Sequence, residues 1–477
     1  MTIFSQTRAK TILWLGSVAS RTRFLSLAKS PNESEVVAQT RLEALLTHAN
    51  QNVPFYKGRI DVGSGTGWGR AALARLPVLE KDDVELNFPD EITDNSDSTD
   101  WRLMSTRGTA QRLITVHDFE KRDAGRAAWL RTFQRAGGYK LGMKKVEIPP
   151  EVCEIVCGDE DEVEQSVIGH AWDMFRKRDL FKSKSVRDLR GLIEREWVYN
   201  TRNYTGFGRY GSCPPDDVLQ RYVDRLKKDR PYVIKALATY LVEIAKYLKR
   251  TNQTLEIPVL KAMGSRLSEE QRALVEDAFR GCFWDDYGSA EFGCISCEGP
   301  LHDGTHIFDD LFVVEIVNAE GNPVEDGELG WVVITDLMNK AMPLLRYRIG
   351  DIGRMDHSPS ADGLRSPRLY VSGRAHDVLV TSTGRWMTHD DLVDFFETFP
   401  GVRCCAVECR GDNDYLLTVV PSDEAVFDEV RFSESFRSAV DCVEGRVDLR
   451  RTTTLPAESG GKFRFVRGNL MQQTSRA

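Results

Sequence analysis

The chain has 477 residues, room for two or three cores at about 100–200 residues per domain. A hydrophobic share of 41% and a charged share of 29% fit a globular protein and exclude a chain that is mostly disordered or collagen-like. The 64 Lys+Arg against 72 Asp+Glu leave a formal charge of −8, which argues against a general nucleic-acid binder, and no apolar run approaches the ~20 residues that span a bilayer.

The 10 cysteines are scattered and too sparse for a disulfide scaffold, so reduced thiols and a cytoplasmic location are expected. The first 30 residues carry Lys and Arg but no acid, a bias also found in targeting segments; the apolar stretch Ile12–Gly16 is short, which favours a solvated N-terminal helix. Val36, Val37, Leu42, Leu45 and Leu46 recur near a helical period and predict a helix over 35–50. Asn52-Val53-Pro54 ends it, because proline disfavours helix in the residue before it. Residues 87–100 and 200–216 read as polar loops, and Asp159–Glu164 as a solvated acidic run. Asp216–Lys228 and Tyr232–Arg250 are helical by period. A further helix starts at the N-cap Ser268, with Gln271 completing a capping box, and stops at Gly281. Cys282-Phe283-Trp284 is a short strand, and 311–318 and 331–336 are β-branched strands around the turn Glu320-Gly321-Asn322-Pro323. Beyond Gly373 come strand Val378–Val380, helix Asp390–Phe399, strands Val402–Cys409 and Leu416–Val420, and helix Phe427–Val440. That alternation predicts a small α+β domain over 373–477, behind a large N-terminal domain over 1–372.

Short motifs carry the chemistry. Asp286-Tyr287-Gly288-Ser289-Ala290-Glu291 follows a strand, and ligands bind at the C-terminal ends of strands in α/β sheets. Its ring and carboxylate could stack on a base and hold Mg²⁺, or form an ordinary strand-to-loop turn. Arg346-Tyr347-Arg348-Ile349-Gly350-Asp351 is a strand-like alternation ending in Gly-Asp. Its carboxylate could accept hydrogen bonds from a ribose diol, or pair charges on a surface strand. Gly373-Arg374-Ala375-His376-Asp377 suits a hinge, with Arg374 able to reach a phosphate or ribose. Ser105-Thr106-Arg107-Gly108-Thr109 lies between strands Trp101–Met104 and Leu113–Val116 and offers hydroxyls, a glycine and an arginine that can cradle phosphate. Ser459-Gly460-Gly461-Lys462 sets a lysine on a glycine-rich tip, either simply solvated or functional.

In this order the motifs resemble the adenylate-forming acyl/aryl-CoA ligase superfamily, and within it the phenylacetate–CoA ligase-like branch with its CapK-type capsule-biosynthesis proteins. Asn52-Val53-Pro54-Phe55-Tyr56, Leu76-Pro77-Val78-Leu79-Glu80-Lys81, Ala341–Arg348 and Val380–Arg385 resemble that branch as well. The resemblance covers 35–118 and 216–466 and fades over 120–215. It implies a large α/β N-terminal domain with a small α+β C-terminal lid. It implies ATP- and Mg²⁺-dependent activation of a small, aromatic-type carboxylic acid as acyl-adenylate, then transfer to the thiol of CoA or a carrier protein. Tyr287 would contact adenine beside Asp286, Gly288 and Ser289, Glu291 would hold Mg²⁺, and Asp351 would bind the ribose hydroxyls near Arg374. Ser105 to Thr109 would face the phosphates, His376 would stand at the hinge, and Lys462 would reach the substrate carboxylate and the α-phosphate. A metal and a lysine suit that chemistry, because charge builds on phosphoryl oxygens during attack.

The chain also departs from the family pattern. The phosphate loop of the family is typically Ser/Thr-Ser-Gly-Thr-Thr-Gly, whereas Arg107 stands here for a small hydroxyl residue and Ala110 and Gln111 for Thr and Gly. Arg107 binds phosphate directly, blocks the site, or pairs at the surface with one of the acids in Asp90–Asp100. His376 replaces the usual hinge Asp or Lys, and Ser265 stands where Glu is common. Cys294-x₂-Cys297-x₄-His302-x₃-His306 has a zinc-compatible spacing. Cys297 and His306 match a structural zinc pattern of some relatives, but its later Cys-x-Cys reads Tyr370-Val371-Ser372 here, so thiols without zinc are expected. Rival functions are an adenylating amide or ester synthase and a non-catalytic nucleotide-binding descendant.

Overall fold

The computed structural model describes residues 34–94, 101–105, 113–149, 192–210, 214–264, 266–411, 413–422, 426–442, 445–455 and 465–471, with 7–9, 11–12, 171–172, 175–176 and 189 besides. The chain divides into two compact units: one is built on Phe133–Asp285, the other on Phe24–Thr132, Asp286–Leu455 and Arg464–Ala477. The acidic run Asp159–Glu164 lies outside the described residues. No helix among the described residues is long and apolar enough to cross a membrane.

The first unit is organised by Val233–Leu237, a strand buried at every position. It is the middle of a 5-stranded parallel sheet ordered Thr201–Asn203, Lys145–Ile148, Val233–Leu237, Val259–Met263, Cys282–Phe283. The predicted helix over Tyr232–Arg250 therefore begins only at Ala238. A strand buried on both faces shows no alternation, and one that runs straight into an amphipathic helix borrows the helix's apolar spacing. The predicted loop over 200–216 holds the edge strand Thr201–Asn203 and a turn at Gly208–Tyr210.

One face of this sheet, with Val146, Ile148, Ile234, Ala236 and Leu260, packs into the core shared with Leu219, Val223, Leu241, Ile244 and Phe279 of the helices. The other face carries a polar row in register across the strands: Asn203, Glu147, Lys235, Lys261. Lys261 is fully buried and its Nζ donates to the Trp284 carbonyl at 3.4 Å. Burial pushes the Glu147 carboxyl up, but Lys145, Lys235 and Arg195 outweigh it and hold the group below its ordinary value. The helix Glu269–Phe279 has the predicted capping box at Ser268 and Gln271. Its left-handed C-terminal residue is Arg280, not Gly281. Glycine is needed at 281 because a Cβ there would lie 2.0 Å from the Ile257 carbonyl oxygen.

The second unit holds a 7-stranded antiparallel sheet ordered Phe312–Val317, Gly330–Asp336, Tyr347–Asp356, Arg368–Arg374, Thr305–Ile307, Gly293–Glu298, Asp286–Ser289. The helix Ser34–Asn52 seats Leu42, Leu45, Leu46 and Ala49 against Val313, Leu337 and Leu345. The two strands expected around the Ser105–Thr109 loop are present as Arg102–Ser105 and Ile114–His117, and they pair antiparallel. At the C-terminal end, helices His389–Thr398 and Glu429–Ala439 seat Phe396, Phe432 and Phe436 against Leu417 and Val419 of a 4-stranded sheet. Two of its strands, Arg446–Arg451 and Val466–Arg467, lie at the edges, where alternating polar residues or brevity leave little sequence signal.

Arg346 ties this unit together. It is 4% exposed and sits at φ 53°, a left-handed conformation rare outside glycine. Its Nε donates to both Glu315 carboxylate oxygens at 3.2 Å, and its terminal nitrogens donate to the carbonyls of Leu76 (2.6 Å) and Gly321 (2.8 Å). Its amide donates to Thr335 Oγ1 at 2.9 Å, and its carbonyl accepts from the Leu79 amide at 2.9 Å. Burial pushes the Glu315 carboxyl up in spite of the guanidinium, so removing Arg346 strands a costly charge.

A second buried pair joins Lys121 of helix Phe119–Arg135 to Asp336, Nζ to Oδ2 at 2.5 Å, with side chains 3% and 2% exposed. Lys121 Nζ also donates to the Phe292 carbonyl at 2.7 Å and lies 4.8 Å from the centre of the Phe312 ring. Beside it, His117 is 7% exposed. Burial, then the neighbouring Lys121 charge, push its imidazole down to about 4.

Arg346→Met is expected to lower the unfolding free energy by about 3–5 kcal/mol, and Arg346→Met/Glu315→Leu to regain much of it; urea titration of both checks this, and a loss under about 1 kcal/mol in the single variant contradicts the account. His117 gives a pH test. Its folded pKa lies below the unfolded value of about 6.5, so its stabilising contribution is complete above pH 6.5 and fades as pH falls towards 4. Between pH 7.5 and 4.5 the wild type should lose roughly 2–3 kcal/mol more stability than His117→Gln, and parallel losses in the two proteins contradict it.

Candidate functional site

Asp351 lies inside the strand Tyr347–Asp356, not after it, so the Gly-Asp pair is a strand interior rather than the end the sequence suggested. The surface-strand alternative does not hold either, since Tyr347, Ile349, Asp351, Ile352 and Gly353 are buried. Antiparallel pairing sets Asp351 directly opposite Arg374. Arg374 Nε lies 3.0 Å from Asp351 Oδ1, and its Nη1 donates to the Ile349 carbonyl at 3.2 Å. The Asp351 carboxylate raises Arg374 above its ordinary value.

Asp286–Ser289 is itself the edge strand of the same sheet, where sequence suggested a turn. In a flat sheet its distance from Tyr347–Asp356 would be roughly 19 Å, at ~4.8 Å per strand. The sheet curls instead, and the Tyr287 hydroxyl donates to Asp351 Oδ2 at 2.5 Å. Burial, then the Asp351 charge, push the Tyr287 phenol far above its ordinary range, so it remains a donor. Both Asp351 oxygens are thus engaged, one by a phenol and one by a guanidinium. Gly288 allows the close pairing that places Tyr287, because a Cβ there would lie 2.2 Å from the Gly293 carbonyl oxygen. Asp286 is paired in register with Cys297, and Ser289 Oγ accepts from the Phe292 amide at 3.3 Å.

Glu291 follows in the turn to Gly293–Glu298 and is half-buried. Among the described residues, no side chain hydrogen-bonds or ion-pairs with its carboxylate, though Tyr287, Tyr347 and Arg374 lie within electrostatic reach. A half-buried carboxylate with its oxygens uncommitted fits Mg²⁺, which takes hard oxygen ligands and often only one or two carboxylates alongside phosphate.

Ser105 ends the first hairpin strand, opposite Ile114. Thr106, Arg107, Gly108, Thr109, Ala110 and Gln111 lie outside the described residues, as do Ser265 and Lys462. His376 sits in the short turn Ala375–Asp377, half-exposed, with its carbonyl accepting from the Gly468 amide at 2.9 Å.

The four residues with zinc-like spacing are not gathered into one ligand group among the described residues. Cys294 and Cys297 are buried in the apolar core of the second unit, and Cys294 Sγ donates to the Ser296 carbonyl at 3.6 Å. His302 Nδ1 pairs with Glu298 Oε2 at 2.7 Å. His306 is buried against Asp362, 3.3 Å away, and Asp303, His306 and Asp362 bring their ligand-capable atoms within 4.8 Å of one another. A strand fixes side chains by register, and motif spacing that suits a loop or helix does not survive it.

Sequence reasoning missed His117, Lys121 and Asp336. The signal was slight: Lys121 shares its helix face with the buried Ala124 and Ala128, where a lysine is unusual.

No family model matches the chain. The phenylacetate-coenzyme A ligase of Thermus thermophilus is 29% identical over 173 residues, which is 34% of this chain and only 38% of that protein. Protein CapK of Staphylococcus aureus is 22% identical over 448 residues, covering 90% of this chain and 88% of CapK. The crystal structure of a 2-hydroxyisobutyryl-CoA ligase in a postadenylation state, in complex with R3-HIB-AMP, superposes with a TM-score of 0.63 at 16% identity, covering 93% of this chain and 92% of that one. In sequence the chain is thus similar to phenylacetate-coenzyme A ligases and to CapK, and its fold is similar to that of the 2-hydroxyisobutyryl-CoA ligase.

Proposed function

We propose that the chain uses ATP to activate a small, aromatic-type carboxylic acid as its acyl-adenylate and then passes the acyl group to a thiol, that of CoA or of a carrier protein, in the cytoplasm. The observation that carries this reading is the Asp351 carboxylate held between Arg374 and Tyr287, with the uncommitted Glu291 carboxylate nearby. Asp351 would offer oxygens to a ribose diol, exchanging or sharing its bond from Tyr287, whose ring would lie along the base. Arg374 orients the Asp351 carboxylate. Glu291 is the carboxylate that would hold Mg²⁺; the metal, when bound, disperses charge on the phosphoryl oxygens.

Ser105, Thr106, Arg107, Gly108 and Thr109 would line the phosphates, with the Arg107 guanidinium standing in for lost hydroxyls. Residues 373–477 would act as a lid hinged at Gly373 and His376; Gly373, at φ 123°, tolerates a change of backbone direction that other residues resist. Lys462 would enter with the lid for adenylation and leave for transfer, so that each half-reaction has its own arrangement.

This division of labour is tested by separating the half-reactions. Lys462→Ala should slow acyl-adenylate formation by about 10²–10³-fold while sparing thioester formation from supplied acyl-adenylate. Equal losses in both steps contradict it. Asp351→Ala should weaken Mg-ATP binding in isothermal titration, and unchanged binding would move the nucleotide elsewhere.

A further inference from the structure

Glu291 is only as useful to a metal as its backbone is fixed, and two buried basic side chains grip that backbone from one stretch of chain. Lys121 Nζ donates to the Phe292 carbonyl at 2.7 Å. The buried His117 imidazole lies within hydrogen-bonding reach of the Glu291 backbone. Both come from the junction where strand Ile114–His117 turns into helix Phe119–Arg135. Asp118 pins that junction: its Oδ1 accepts from the Lys121 amide at 2.8 Å and its Oδ2 from the Lys340 amide at 2.8 Å. On the other side the Phe292 ring is fully buried, 6.3 Å from Phe312 and 5.9 Å from Tyr347.

Stability alone is a poor reason to bury this lysine. Exchanging a buried ion pair for apolar groups of similar volume is often neutral or stabilising. An ammonium in an apolar shell, held by Asp336 and aimed at one backbone carbonyl, does something a methionine could not: it fixes where the Phe292–Gly293 peptide lies, and with it the turn that carries Glu291. Resting on the reading of Glu291 as the metal-binding carboxylate, we propose that Lys121, braced by Asp336 and seconded by His117, is a positioning residue that clamps the Glu291–Phe292 turn so that the carboxylate is presented to Mg²⁺.

Outer-shell partners of metal ligands typically carry 10–100-fold in metal affinity. The probe is Mn²⁺, titrated by electron paramagnetic resonance into protein saturated with a non-hydrolysable ATP analogue. Lys121→Met/Asp336→Asn removes both charges, so no unpaired ion remains to unfold the protein, and the amide side chain keeps an oxygen to accept from the Met338 amide, as Asp336 Oδ1 does. The expected result is a near-native melting temperature with Mn²⁺ affinity weakened about 10–100-fold. His117→Phe, which removes the second grip without touching the ion pair, should weaken it in the same direction and decides the matter if the double variant does not fold. Native Mn²⁺ affinity in a folded double variant overturns the proposal, as does native affinity in His117→Phe where the double variant is unfolded. Glu291→Gln separates the two layers: if it too leaves Mn²⁺ affinity unchanged, the metal assignment itself fails and the clamp with it, whereas weakening in Glu291→Gln alone rejects only the clamp.

Discussion

The buried guanidinium of Arg346 is the constraint from which the second unit takes its shape. A planar group with several donors, shut away from water, must find acceptors in fixed directions. It finds them in Glu315 of one strand, in the carbonyls of Leu76 and Gly321, and it forces its own backbone into a left-handed turn to do so. That turn sets the register of the following strand, and register is all-or-nothing: a slip of one residue would send every side chain to the opposite face. Asp351 meets Arg374 only in this register. The arginine that opens the Arg-Tyr-Arg-x-Gly-Asp motif is therefore a structural anchor for the carboxylate that closes it.

A recurring design is a carboxylate made useful by a basic neighbour on an adjoining element. Asp351 is held by Arg374 across the strand pair and by the Tyr287 hydroxyl across the curl of the sheet. Glu291 keeps its carboxylate uncommitted among the described residues while Lys121 and His117 hold the backbone beneath it. The charges differ in kind. Arg374 is half-exposed, whereas Lys121 is sealed in and touches only the protein.

Part of the candidate site's grouping was legible in the sequence because its residues are held close to their motif neighbours by short turns: Tyr287 with Glu291, and Arg374 with His376. What sequence could not supply was the long-range registration that sets Asp351 against Arg374 and Tyr287. Where the reading failed, burial on two faces was the cause. Val233–Leu237 lies between layers, includes the buried Lys235, and feeds directly into a helix, so its strand character left no alternation. Asp286–Ser289 looked like a turn because Asp, Gly and Ser favour turns, yet tertiary pairing with Gly293–Glu298 made it a strand. Lys121 was hidden for a similar reason: a lysine on a helix reads as solvated until the fold reveals Asp336 and the Phe292 carbonyl around it.

The central claim is that this scaffold forms an acyl-adenylate reversibly. It is tested most directly by exchange of labelled pyrophosphate into ATP, in the presence of Mg²⁺ and a panel of aryl and alkyl carboxylic acids. The account predicts exchange that requires both the acid and the metal, is strongest with one or a few small aromatic acids, and falls sharply in Asp351→Ala. Exchange absent with every acid while Mg-ATP still binds would contradict it, and would leave a nucleotide-binding protein that does no adenylation.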